Sequence, residues 1–319
     1  MRLFALLSAI ALTGPLQAQS VTIAGRVLRG GPSGAPLVRQ WAVLHRIAET
    51  SAGAVDSVRT DGAGRYVLRL PRVDSAARYF VSADYAGIGY FSSPVDVNRG
   101  PRTEVPPLLV YDTTSVGPPI ALRRRLVTVG LPGADGTREV LELLELLNVG
   151  AGTRVSPDSV RPVWTGALPA EAIQFRAGES DMSPSAILRV PDGVAVYAPL
   201  PPGQVHQVTY QYYLPATVRT LLLPLDQPVT DFNLLLEDTT AVVAGPPLNA
   251  TGMQSIEGRR FAGSRADNVP GGTVVTVAFA APPFRVDRLV PWVAGAAALA
   301  LGVGLWVALK KKSSVVSRQ

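Results

Sequence analysis

The sequence predicts a mainly β chain in which two β-sandwich domains are followed by one C-terminal transmembrane helix. Three observations predict it. Short alternating runs of apolar and polar residues are separated everywhere by turn residues, with 30 glycines and 28 prolines among 319 residues, and long helical patterns are nearly absent. About 270 residues remain once the two ends are set aside, a length that suits two sandwiches. Near the C-terminus, Leu289–Leu309 runs for 21 residues without a charge.

The N-terminal stretch MRLFALLSAIALTGPLQA places Arg2 before the apolar run Leu3–Leu12 and a small residue, Ala18, at its close. That is the layout of a secretory signal peptide, so residues 1–18 are expected to be removed after Ala18. The first domain is expected over residues 19–115. In VTIAGRVLRG, Val21 and Ile23 alternate with Thr22 and Ala24 as in a half-buried strand, and RQWAVLHRI resumes the pattern after a Gly/Pro loop. Asp61-Gly62-Ala63-Gly64 then supplies turn positions between two alternating strands, and Pro71 stops the second. A further strand follows with Tyr79, Val81, Ala83 and Tyr85 on one face.

These stretches, AGRV, APL, TDGAGRYVLRLP and YFVSADYAG, resemble the carboxypeptidase regulatory-like domains over roughly residues 20–110. The resemblance implies a transthyretin-like sandwich without catalytic residues, an accessory to something else; the related folds include carbohydrate-binding modules. No peptidase domain follows it in this chain.

The second domain is expected over residues 116–284, as an Ig-like or related sandwich. Its ambiguous stretch is VLELLELLNV at 140–149, where Val140, Leu144 and Leu147 fit a helical stripe but the β patterns on both sides favour a strand. Val208, Tyr210 and Tyr212 share one face of a later strand, and Thr209, Gln211 and Tyr213 the other.

Residues 285–310 are expected to form the membrane anchor. A 21-residue helix is about 31 Å long, enough to cross a bilayer core. Trp292 and Trp306 stand near its two ends, where amphipathic rings prefer the headgroup level, and Ala294, Ala298 and Gly302 repeat at a four-residue spacing that lets another helix approach. Lys310, Lys311 and Lys312, the only lysines in the chain, mark the cytoplasmic flank, leaving 310–319 as a short basic tail.

The net charge of +6 does not point to nucleic acid. Residues 20–288 hold 25 of the 27 arginines and all 24 acidic residues, so the excess sits at the two ends. The one local cluster, Arg123–Arg125, reads as a solvated strand or loop face. With no cysteine there is no disulfide and no lipid attachment to a cysteine, and no cofactor or metal site is expected. The two histidines, His45 and His206, fall in different domains, and no nucleophile elbow, phosphate loop or zinc motif occurs.

The remaining functional signal is aromatic: Tyr85, Tyr90 and Phe91 in the first domain, Tyr210 and Tyr213 in the second. Such side chains suit a protein interface or sugar stacking, and they suit sandwich cores as well. The expectation is a single-pass protein of the bacterial inner membrane with a non-catalytic ectodomain outside the cytoplasm, acting with an envelope protein partner. A carbohydrate-binding protein and a hydrolase with a site assembled from distant strands are the alternatives.

Overall fold

The computed structural model describes residues 20–280 apart from 32, 33, 159 and 192. The expected signal peptide, the anchor and the tail, with Trp292, Trp306, Lys310–Lys312, Ala294, Ala298 and Gly302, lie outside the described residues. Among the described residues no helix is long and apolar enough to cross a membrane, and helical structure is limited to one 3-10 turn at Pro184–Ala186.

The first sandwich is built from β1 (Val21–Arg29), β2 (Trp41–Ala48), β3 (Ser51–Arg59), β4 (Arg65–Leu70), β5 (Arg78–Tyr85), β6 (Ile88–Phe91), β7 (Arg102–Glu104) and β8 (Leu108–Val110). One sheet has the order β4-β1-β7, with β8 pairing parallel to the end of β1; the other has the order β3-β2-β5-β6. Period-2 burial explains the pairing of faces. Ile23, Leu44, Leu68, Tyr79 and Val81 point inward and close one core. In the turn between β3 and β4, Asp61 Oδ1 accepts from the backbone N–H of Ala63 and of Arg65, both at 2.8 Å. Those bonds, Arg65's first, hold the Asp61 carboxyl below its ordinary range. Gly64 takes φ of +70° there, with Val27 O so close that a Cβ has no room.

A two-residue strand, β9 (Thr113–Thr114), leads into the second sandwich. That sandwich comprises β10 (Ala121–Pro132), β11 (Thr137–Leu147), β12 (Thr153–Arg154), β13 (Trp164–Ala167), β14 (Ile173–Ala177), β15 (Ile187–Val190), β16 (Gly193–Val196), β17 (Val205–Pro215), β18 (Thr220–Leu225), β19 (Val229–Leu236), β20 (Val242–Ala244), β21 (Asn249–Ile256), β22 (Arg259–Val269) and β23 (Thr273–Ala278). A seven-stranded sheet, β14-β17-β11-β10-β19-β22-β21, forms one layer. Two three-stranded sheets, β13-β16-β15 and β18-β23-β20, form the other. Leu144, Tyr212 and Phe232 from the large sheet meet Trp164, Leu223 and Val277 from the small ones in a second core, separate from the first.

The ambiguous stretch at 140–149 is strand as far as Leu147. Arg138, Val140, Glu142, Leu144 and Leu146 are buried in strict alternation, which a helical stripe cannot give. Two of those alternating buried residues are charged, and they set the chemistry inside this sandwich.

Candidate functional site

The outer face of the sheet β3-β2-β5-β6 carries three exposed large apolar side chains, Trp41, Ile47 and Phe91. On β2, Ala42 and Leu44 fill the core while Trp41, Val43, His45 and Ile47 point away from it. Cross-strand register brings Ser82 and then Phe91 beside Val43, and Phe80 beside His45. Trp41 and Ile47 are each 47% exposed and Phe91 is 64% exposed. Arg59, opposite Trp41 on β3, lays its guanidinium 4.9 Å from the indole ring, a cation–π contact. His45 Nε2 lies 2.8 Å from Ser82 Oγ, and its ring is 6.0 Å from that of Phe91 at an interplanar angle of 51°. The His45–Ser82 pair sits on an open sheet face, and no carboxylate bonds the imidazole among the described residues.

The other expected surface aromatics are scattered. Tyr90, on the same short strand as Phe91, is buried: its hydroxyl donates to Tyr111 O at 2.9 Å and meets Thr153 Oγ1 at 2.7 Å, tying the first sandwich to the second. Tyr85 is half-buried at that same junction, accepting from Arg29 and donating to Asp112 Oδ1 at 2.7 Å. The bond to Asp112 pushes the Tyr85 phenol up from its ordinary value. The junction is completed by the parallel pairing of β9 with β12, and by buried Asn148, whose side-chain N–H groups donate to Gly152 O and Leu200 O. A cleft of about 360 Å³ opens beside it, lined by Asp112, Gly117, Asn148, Gly152 and Arg154.

Tyr210 and Arg125 correct the sequence expectation most sharply. Tyr210 is 1% exposed and cannot belong to a ligand surface, while its neighbour across the strand, Tyr213, is half-buried on the opposite face. Arg125 is 3% exposed, not solvated. The cause is a β-bulge in β10: Leu122 pairs with Leu146 and Arg124 with Glu145, which leaves Arg123 as an extra residue and turns Arg125 inward. There its Nε donates to Glu142 Oε2 at 2.8 Å, Nη2 to Oε1 at 3.2 Å and Nη1 to Pro224 O at 2.8 Å. Tyr210 donates to Glu142 Oε2 at 3.0 Å and Tyr212 to Oε1 at 2.9 Å. Each carboxylate oxygen thus accepts twice, a closed network with no free valence on Glu142 for chemistry. Burial, then the Glu142 carboxylate, pushes both phenols well above their ordinary range. Burial works against the Arg125 charge, but the Glu142 carboxylate outweighs it and the net direction is upward.

Trp41, Ile47 and Phe80 were the aromatic and aliphatic groups that sequence reasoning passed over. The signal for Trp41 and Ile47 is RQWAVLHRI, a strand apolar on both faces, where period 2 shows that two faces exist but not which one meets the core; Phe80 lies in RYFVSADY, on the face opposite Tyr79 and Val81.

No family model matches the chain, and no curated protein matches it. Among solved structures, the plantain pollen allergen Pla l 1 aligns with 28% of this chain and 91% of its own, at 16% identity and a TM-score of 0.22. An M1 zinc metallopeptidase from Deinococcus radiodurans aligns with 50% of this chain and 42% of its own, at 12% identity and a TM-score of 0.30. The major pilin SpaD from Corynebacterium diphtheriae covers 84% of this chain and 89% of its own, at 9% identity and a TM-score of 0.24. At these scores the architecture rests on the strand pairing described above.

Proposed function

We propose that this chain is a single-pass protein of the bacterial inner membrane, with an exported, non-catalytic ectodomain whose first sandwich docks an envelope protein through its apolar sheet face. The first sandwich is read as a transthyretin-like module of the carboxypeptidase regulatory-like kind, on the strength of its two four-stranded sheets and the Asp61–Gly64 turn. Anchoring rests on the uncharged run Leu289–Leu309 and the lysines that follow it.

The observation that carries the docking role is the outward row Trp41, Val43, His45 and Ile47 with Phe80 and Phe91 beside it. An antiparallel sheet packed on its own core normally turns a polar face to water, and a contiguous apolar face rimmed by charge marks an interaction surface. Here Arg59, Arg78 and Asp84 supply the rim. Sugar stacking favours exposed rings that share a plane. The exposed Phe91 ring is tilted by 51° against the half-buried His45 ring, and Val43 and Ile47 add aliphatic bulk, which suits a protein surface better.

The test places a photo-crosslinking amino acid at Phe91, at Ile47 and, as a control, at Thr217 of the full-length chain in intact membranes. A discrete protein adduct at positions 91 and 47, absent at 217 and lost with Trp41→Ser, is the expected result. Equal adducts at all three positions, or none at 91 and 47, overturn the docking face. Adduct formation abolished by soluble glycans replaces it with a carbohydrate site. Anchoring is tested separately: alkaline extraction should leave the full chain with the membrane and release a version ending at Arg288, and release of both sinks that part.

A further inference from the structure

The chain leaves the second sandwich at the end remote from the first. Thr220 pairs with Ala278, and Ala216 N donates to Gly136 O, so the end of β23, the Ala216–Arg219 turn and the Leu131–Gly136 hairpin share one end. Leu236 pairs with Ala262, which brings the Ile256–Arg259 hairpin to the same end. At the opposite end of the same strands, Leu122, Leu146 and Val229 lie in register beside the β9–β12 junction with the first sandwich.

The exit itself is pinned. Phe279 N donates to Arg219 O at 2.8 Å, and the guanidinium of Arg138 lies 3.8 Å from the centre of the Phe279 ring. Arg138 is in turn held by Gly130 O at 3.1 Å and faces the Asp238 carboxylate at 4.0 Å. From Ala280 only residues 281–288 separate this end from Leu289, and they span at most about 29 Å when fully extended. The long strand β10, by contrast, carries the fold about 35 Å from one end of the sandwich to the other.

Resting on the anchored reading of Leu289–Leu309, we infer that the Leu131–Gly136 and Ile256–Arg259 hairpins and the Ala216–Arg219 turn form a bilayer-facing end. The second sandwich is then a spacer that holds the Trp41–Phe91 face away from the lipid. The surface of this end is amphipathic and of mixed charge, as a zwitterionic headgroup layer can accept: Leu131 is 50% and Ile256 42% exposed at the hairpins, with exposed Arg219, Arg260, Asp135 and Glu257 beside them.

The absence of cysteine makes the test direct, because each engineered cysteine is the only thiol in the chain. Ala134→Cys and Thr217→Cys mark the exit end, and Thr50→Cys marks the β2–β3 hairpin of the first sandwich; all three positions are exposed. Each full-length variant is labelled with a fluorophore and reconstituted into phosphatidylcholine–phosphatidylglycerol vesicles that carry a headgroup nitroxide lipid. Quenching at 134 and 217 several-fold stronger than at 50 is expected. Protein that floats with the vesicles but is quenched as strongly at 50 as at 134, or at none of the three, overturns the inference alone. Protein that fails to float overturns the anchored reading, and the inference falls with it.

Discussion

The two sandwiches make opposite use of the same residue types. In the second, Arg125, Glu142, Tyr210 and Tyr212 are drawn into the core and saturate one another, so charge and phenol serve closure. In the first, Trp41, Ile47 and Phe91 are left in water on an open sheet face, with one guanidinium laid on the indole. Polar groups that find every partner inside hold a structure together; apolar groups that find none outside are available to another molecule. That contrast divides the labour proposed for the chain, with the second sandwich as rigid support and the first as the surface that meets a partner.

The largest effect should come from breaking the saturated network. Arg125→Ala leaves the Glu142 carboxylate buried without its cation, and a loss of about 3–5 kcal/mol is expected from urea unfolding. Replacing the whole set by apolar residues of similar size (Arg125→Met, Glu142→Leu, Tyr210→Phe, Tyr212→Phe) should cost less than Arg125→Ala alone, because no charge is left unpaired and only the neutral Pro224 O loses a donor. A loss below about 1 kcal/mol for Arg125→Ala would mean that water reaches the pair and that the second sandwich is not the closed body described.

A smaller effect tests whether the first sandwich is equally tight where it meets the second. A Cβ at Gly30 would run into the Tyr111 ring. Gly30→Ala is therefore expected to cost about 1–3 kcal/mol by overpacking. The cost should shrink in a Tyr111→Ala background, since the colliding ring is gone. An additive double mutant would show that the ring yields freely and the junction is loose.

How much of this was legible in the sequence follows from the physics of each element. The Asp61–Gly64 turn was legible because an aspartate that bonds its own following backbone and a glycine at positive φ have few other uses. The strand at 140–147 was legible from its neighbours, and the shared face of Val208, Tyr210 and Tyr212 from period 2. Arg125 was not, because one extra residue at Arg123 reverses the alternation, and nothing in LRRRL announces a bulge. Tyr90 and Phe91 show the same limit: adjacent aromatics on a strand must face opposite ways, but only the packed structure says which one is inside.

Tyr66 offers a gain of stability. It is 2% exposed with its hydroxyl buried and unpartnered among the described residues, so Tyr66→Phe should stabilise the protein by about 1 kcal/mol near neutral pH. Burial, helped by the charge of Glu104, pushes its phenol up to about 12. The sign follows from linkage: above pH 10 the unfolded chain gives up this proton while the folded one keeps it. Stability should therefore fall as the pH rises from 10 to about 12. Unfolding curves across that window should slope less steeply for Tyr66→Phe, and equal slopes would show that the hydroxyl is solvated.

The smallest expected effect is the most telling for the division of labour. Phe91→Ser should leave stability within about 0.5 kcal/mol of the parent, because a ring already 64% exposed gives up little burial. Tyr90→Phe, one residue earlier, deletes the bonds to Tyr111 O and Thr153 Oγ1 and should cost about 1–2 kcal/mol. If Phe91 belongs to a docking face, its substitution also removes the crosslinked adduct, while Tyr90→Phe in a chain that is still folded keeps it. A Phe91→Ser protein that unfolds as readily as Tyr90→Phe would mean that this ring is part of the fold after all, and that the outer face is a covered surface rather than an open one.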